Sequence, residues 1–329
     1  MHWRLEVVMR KVDDSQIRLI TIDLDETLLH QDKTFSDYSR DVLRKLIDKG
    51  YLVVPASGRD LKRMGENILT MPGIRYAVTL NGAQVYELPG EAVSAVGDDA
   101  GASAETDADS APGMGEIRTI RRVGEFPLSE EEAVLSLDWM RPYCNILEMD
   151  TDRGLLREVC TVKPGCYEAV SGESLDLEKA ERFIRKRYFF INFDVPEYEN
   201  LSDYIRKERP TVWKVSGFYA DRQQFETILE KPFPDENVNF CASDDLLTET
   251  SSAHASKGNG LRRLMEVLDI PKEAVLAIGD NGNDISMFHT AGVSVAVGNA
   301  LPEVQAEADF VCGTNDEDGP ARFLEEWLL

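Results

Sequence analysis

The stretch Ile17–Leu29, IRLITIDLDETLL, constrains the chain more than any other. Ile17, Leu19, Ile20 and Ile22 form an apolar, β-branched run that suits a strand buried inside a sheet, and it stops at Asp23 and Asp25. Acids emerging at the carboxyl end of a buried strand lie where open α/β sheets carry their ligands. Side chains two apart at a strand end can face one cleft, and two carboxylates there repel unless a cation sits between them. A divalent metal is the natural third party, and Mg²⁺ fits. One acid can then attack a phosphoryl group while the other manages the proton of the leaving oxygen. Alone, the same string also describes a solvated loop, so its context decides.

The chain has 329 residues, more than one compact core usually holds, so two domains are expected. With 43% hydrophobic residues it reads as globular, and no apolar run approaches the length of a membrane span. The first sixteen residues, MHWRLEVVMRKVDDSQ, lack an extended apolar segment, so no secretory signal is expected. The net charge of −24, from 36 basic and 60 acidic residues, argues against nucleic acid or an anionic membrane as partner. The five cysteines, Cys144, Cys160, Cys166, Cys241 and Cys312, contain no CxxC pair and suggest reduced thiols and a cytoplasmic protein.

Past the aspartates, Tyr38, Val42, Leu43, Leu46 and Ile47 fall at helical spacing, and Gly50 stands where a glycine ends a helix. A second buried strand, Tyr51–Ala56, runs into Ser57-Gly58-Arg59-Asp60 and a helical stretch near Leu61–Leu69. Such strand–loop–helix units stack as parallel sheet. Ser57-Gly58 suits either close approach of an anion or an ordinary helix cap. Arg75–Tyr86 reads as a third strand, an Asn-Gly turn and the start of a fourth. From Gln84 to Glu116 there are eight acidic residues and no basic one, so 90–115 reads as a mobile acidic loop, with strand resuming at Ile117–Arg121. Ser129–Glu132 is a capping-box pattern opening a helix through Met140. Strand candidates follow at Asn145–Asp150, Tyr188–Phe193, Val212–Phe218 and Val238–Cys241, with helices at Leu177–Lys186 and Asp221–Lys231, an α+β second domain.

Ser256-Lys257-Gly258 opens another helix. A lysine at a helix N-terminus opposes the macrodipole, so either an anion lies between or the side chain snorkels to solvent. Val275–Ile278 is again a buried strand, ending in Gly279-Asp280-Asn281-Gly282-Asn283-Asp284. A helix near Ile285–Thr290, strand Val293–Val297, a helix from Pro302, a short strand at Phe310-Val311 and a helix at Ala321–Leu328 complete the pattern. The first domain is thus interrupted and resumed, giving 17–83 with 251–329 as a discontinuous core, 84–250 as an insertion and 1–16 as an extension.

Taken in order, Asp23-Leu24-Asp25-Glu26-Thr27, Ser57-Gly58, Lys257, and Gly279-Asp280 with Asn283-Asp284 resemble the haloacid dehalogenase-like hydrolase superfamily. SKGNGL, IGDNGNDISMF and VGNALPEV resemble most its Cof-type phosphatases, with a large α/β cap. The resemblance implies a doubly wound, Rossmann-like, mostly parallel α/β core with an inserted α+β cap that excludes water and reads the leaving group. It makes Asp23 the nucleophile and a metal ligand, Asp25 the acid/base whose carbonyl also meets the metal, and Asp280 a further Mg²⁺ ligand. Leu24, Ser57, Gly58, Lys257 and Asn283 would bind phosphate, and Asp284 would hold Lys257 or a metal-bound water. Asn315-Asp316-Glu317-Asp318-Gly319 is similar to the family's closing loop, with Pro320 in place of a small aliphatic residue.

The expected activity is Mg²⁺-dependent hydrolysis of small phosphate esters such as sugar phosphates. A phosphohexomutase of the same superfamily shares these motifs, whereas a dehalogenase needs no acid at Asp25. The reading from another class is a non-catalytic binding protein with His30, His254 and the acidic loop as interaction features. Arg153, Arg157, Arg182, Arg185 and Lys214 are candidates for reading an anionic leaving group or are solvated surface. Substrate and oligomeric state stay open.

Overall fold

The structure is a computed structural model, and it describes residues 16–89, 120–159, 195–219, 222–244 and 246–329. The chain lays down β1 (Leu19–Asp23), β2 (Leu52–Ala56), β3 (Tyr76–Thr79), β4 (Gln84–Glu87) and β5 (Arg121–Glu125). Next come β6 (Ile146–Thr151), β7 (Gly154–Val159), β8 (Glu197–Tyr198), β9 (Val212–Phe218), β10 (Val238–Asp244) and β11 (Leu247–Ser252). It then adds β12 (Val275–Gly279), β13 (Val293–Ala296) and β14 (Phe310–Val311).

The first unit comprises the chain up to Phe126 and from Ala255 onward. Its eight strands run in the order β14-β13-β12-β1-β2-β3-β4-β5. Pairing is parallel from β14 to β3 and antiparallel for β4 and β5. β1 lies between β12 and β2, with Ile22 opposite Ile278 on one side and Pro55 on the other. All five β1 residues are buried, as strands covered on both faces must be. Burying Leu19, Ile20 and Ile22 stabilises the sheet by roughly 1.5–3 kcal/mol each. The helix Asp37–Asp48 starts at Ser36, whose hydroxyl accepts from the Ser39 amide at 2.9 Å, and buries Val42, Leu43 and Leu46.

The second unit, Pro127–His254, is a sheet in the order β10-β11-β9-β6-β7-β8, antiparallel except between β7 and β8. The helix Glu130–Met140 begins with the expected Ser129/Glu132 capping box, and with Leu201–Glu208 it supplies Leu137, Met140, Leu201 and Ile205 to that unit's core. Among the described residues no helix is long and apolar enough to cross a membrane.

Several expectations need correction. The division falls at Phe126/Pro127 and His254/Ala255 rather than at 83/84 and 250/251. β4 extends the first sheet by pairing with β3, and β5 by pairing with β4, whereas β11, a polar LTETSS strand with little sequence signal, is held between β9 and β10. The helix expected over Leu61–Leu69 is split into Leu61–Met64 and Glu66–Leu69, because Gly65 between them adopts φ 95. Of the strand expected at Ile117–Arg121, residues 117–119 lie outside the described residues and β5 covers Arg121–Glu125, while the helix expected at Asp221–Lys231 spans Arg222–Leu229. All of the 1–16 extension but Gln16, the 90–115 loop, Leu177–Lys186 and Tyr188–Phe193 lie outside the described residues.

The loop at 315–319 is tied to the loop after β1. Asn315 Nδ2 donates to the Leu29 carbonyl at 2.9 Å, and the Gln31 amide donates to Asp316 at 2.9 Å. Asp318 Oδ1 accepts from Ser36 Oγ at 2.5 Å, Ser39 Oγ at 2.9 Å and His30 Nε2 at 3.2 Å, so His30 serves the fold. Burial alone would raise the Asp318 pKa, but these donors outweigh it and depress it. Asp318→Asn should therefore lower stability at neutral pH by about 1–3 kcal/mol. A depressed folded pKa gives stability that is present above the unfolded value and lost as pH falls through the folded one. Urea midpoints of wild type and variant should thus converge below roughly pH 4; a gap that persists in acid would show that the carboxylate is not the cause.

Candidate active site

Asp23 is the last residue of β1 and Asp280 follows the last residue of β12, so the parallel pairing of these strands delivers both acids to one end of the sheet. Lys257 is the first residue of the helix Lys257–Leu268, with Ser256 as its N-cap accepting from Asn259 at 3.1 Å. The lysine does not snorkel. It is only 1% exposed, and its Nζ donates to Asp23 Oδ1 at 2.5 Å and Asp284 Oδ1 at 2.7 Å. Burial disfavours the ammonium, but the two carboxylates outweigh it, so its pKa is raised and the charge is kept.

Asp23, Asp280 and Asp284 offer oxygens all within 4.8 Å of one another. Three carboxyls facing one ammonium leave an excess of two negative charges when all are ionised. Burial pushes the Asp23 pKa well up, against the pull of Lys257, with repulsion from Asp284 and Asp280 adding to it. Asp280 is likewise raised, by burial and by Asp284, although Thr27 donates to its Oδ1 at 2.6 Å. Such a cluster fits a divalent cation, which removes the excess and prefers hard oxygen donors. Asp284 is already committed, with Oδ1 on Lys257 and Oδ2 accepting the Asp280 and Asn281 amides at 3.0 Å each. Asp23 and Asp280 are therefore the side chains that can hold an ion, and Asp284 orients the lysine.

Asp25 stands apart from this cluster. Arg59 grips both its oxygens, Nε to Oδ2 at 2.8 Å and Nη2 to Oδ1 at 2.5 Å, and Lys33 is 3.3 Å from Oδ1. Burial would raise its pKa, but Arg59 and then Lys33 outweigh burial and hold it as an anion. Leu24 is fully buried and its carbonyl accepts from the Leu29 amide at 2.8 Å, so its own backbone N–H is what it can offer a phosphate.

Ser57 is 1% exposed, and its Oγ accepts from the Arg59 amide at 3.2 Å. Asp60, not Ser57, caps the following turn by accepting from the Arg63 amide at 2.9 Å, which disposes of the ordinary-cap reading. Gly58 packs against Asn81, whose Oδ1 would lie 3.0 Å from a Cβ placed there. Asn283 is exposed and donates Nδ2 to that same Oδ1 at 3.0 Å. Sequence reasoning gave no role to Thr27, Arg59 or Asn81. Thr27 sits inside the quoted aspartate motif and Arg59 directly after Ser57-Gly58; the Asn81-Gly82 pair at a strand end was the available signal for the third.

His254 is exposed. In the second unit, Arg153 pairs with Glu208, Arg157 with Glu148 and Lys214 with Glu249, so these basic groups are matched by acids of the same unit. Arg182 and Arg185 lie outside the described residues.

A family profile described as haloacid dehalogenase-like hydrolase matches residues 20–96 and 170–324. The chain is 24% identical over 317 residues to the 5-amino-6-(5-phospho-D-ribitylamino)uracil phosphatase YcsE of Bacillus subtilis (strain 168), covering 96% of this chain and 98% of that one. It is 26% identical over 322 residues to the phosphatase YwpJ of the same organism, covering 95% and 100%. A solved haloacid dehalogenase-like hydrolase structure from B. subtilis aligns with a TM-score of 0.66 at 24% identity, over 94% of this chain and 99% of the other.

Lys257→Met should strip from these carboxyls the ammonium that pairs with Asp23 and Asp284. Breaking a buried pair from one side costs about 3–5 kcal/mol. Adding Asp23→Asn should recover part of the loss, because one stranded charge is removed as well. Chemical denaturation of the two single variants and the double variant checks this; strictly additive losses would mean that the two residues do not interact.

Proposed function

This chain belongs to the haloacid dehalogenase-like hydrolases and is a phosphoric monoester hydrolase of that superfamily, and we propose that it cleaves small phosphorylated metabolites with Mg²⁺ through an aspartyl-phosphate on Asp23. One observation carries the reading: Asp23, buried at the end of β1, is in direct contact with a charged lysine and clustered with Asp280. Held by Asp23 and Asp280, Mg²⁺ would offset the repulsion between an anionic nucleophile and an anionic ester. Lys257 neutralises part of the same charge, and the Ser57 hydroxyl, the Leu24 and Gly58 amides and Asn283 bind the phosphoryl oxygens.

Asp23 attacks phosphorus as the bond to the leaving oxygen breaks, and that oxygen takes a proton from Asp25. Water then attacks the aspartyl-phosphate, its proton passes to Asp25, and inorganic phosphate leaves with Asp23 restored. The carboxylate gripped by Arg59 is in the state needed for the second half. For the first half it must carry a proton, which requires the Arg59 fork to loosen.

A phosphorylated sugar-alcohol chain joins sugar phosphates among the esters to test, a choice supported by the relatives named for 5-amino-6-(5-phospho-D-ribitylamino)uracil. A cytoplasmic location belongs to the same reading, supported by the free thiols of Cys241 and Cys312. Neither nucleic acid nor membrane is proposed as a partner, in keeping with the charge of −24.

Phosphate release over such a panel, with Mg²⁺ and with excess chelator, is the test. Turnover should require the metal, and an isomeric phosphate ester as product would indicate a mutase instead. Asp23→Asn should abolish both turnover and covalent labelling. Asp25→Ala should slow each half-reaction by roughly 10²–10⁴-fold. With an activated aryl phosphate, whose leaving group needs no proton, that variant should accumulate a base-labile phosphoenzyme at Asp23. Label on Ser57, or turnover by Asp23→Asn, would overturn the assignment.

A further inference from the structure

The turn after β3 holds three successive residues in the left-handed region, Leu80 (φ 50), Asn81 (φ 54) and Gly82 (φ 92). Glycine does so freely and asparagine readily, but leucine does not, and such strain persists only where the surroundings over-determine it. Here they do. The Leu80 amide donates to the Arg59 carbonyl and the Asn81 amide to the Ser57 carbonyl, both at 3.0 Å. A Cβ on Gly82 would meet the Ser256 carbonyl oxygen at 1.9 Å, so only glycine lets the turn reach the start of the Lys257 helix. The Asn81 side chain then lies against Gly58 and accepts the Asn283 amide at 3.0 Å. One strained turn thus touches the Ser57-Gly58 loop, the Lys257 helix and the loop after β12.

We infer that Asn81 is a positioning residue of the phosphate site. Asn283 is exposed on its own loop, and its amide is aimed by Asn81 Oδ1, which is itself fixed by the left-handed backbone clamped onto Ser57 and Arg59. A residue 202 positions away in the chain thereby fixes the Asn283 amide before a tetrahedral dianion arrives. Pre-organisation of this kind strengthens binding without adding a contact. The inference rests on the phosphatase reading and assigns Asn81 no proton transfer and no contact with the reacting atoms.

A double-variant cycle tests it. Asn81→Gly keeps the left-handed backbone and removes only the side chain, so the unfolding midpoint should hold. KM and the inhibition constant of inorganic phosphate should both rise about five- to tenfold, the equivalent of one hydrogen bond, with a smaller change in kcat. In an Asn283→Ala background the same substitution should change either constant by less than about twofold, because the group it aims is gone. Asn81→Ser, too short to reach Asn283, takes its place in the cycle should the glycine variant not fold. Effects that multiply in the double variant, or an Asn81→Gly protein that matches wild type, overturn the inference alone. Wild-type protein that neither releases phosphate from any ester nor is inhibited by phosphate overturns the phosphatase reading with it.

Discussion

The contact on which the rest depends is the ammonium of Lys257 buried between Asp23 and Asp284. A charged lysine this deep is tolerable only with carboxylates at hydrogen-bond distance, and those carboxylates are tolerable only with it. A buried ion pair is nonetheless a poor stabiliser, since apolar residues of similar volume often serve the fold as well or better. Its presence at the carboxyl ends of two of the most apolar strands is therefore better explained by chemistry than by stability. The surrounding architecture supplies what the cluster needs: β1 and β12 are buried throughout, and their parallel register brings their acids to one end of the sheet.

Much of this was legible in the sequence because the signals were abrupt. A buried strand that stops at an acid is visible twice, at Asp23 and at Asp280, and a lysine at the wrong end of a helix is visible once. Where the residues allowed two readings, distance decided: Lys257 is paired, and Ser57 is not a helix cap. What stayed hidden depends on backbone conformation or on partners remote in sequence. Nothing local says that Leu80 is left-handed, that Gly65 breaks a helix, or that Arg59 reaches back across 34 residues to Asp25. The polar β11 is a strand because β9 and β10 flank it, and its composition carries no such message.

The inserted unit makes the same point about charge. Arg157 and Glu148 stand directly opposite on β7 and β6, and Lys214 reaches Glu249 across β9 and β11, so the register of the sheet chooses their partners. Read as a list, those basic residues look like an anion-binding set. Folded, each of them is matched by an acid of the same sheet.

The placement of β1 between β2 and β12 also imposes an order in time. Its neighbour on one side follows after a single helix, whereas Lys257 lies 234 residues beyond Asp23. A growing chain emerges from its amino end, so the half-sheet of β1, β2 and β3 is made long before its other flank and must wait with an open edge while the second unit is synthesised. Through that interval the acids of the first loop have no buried lysine to meet. Asp23 therefore gains its buried ammonium only through a contact that spans 234 residues, the kind of non-local pairing that forms late.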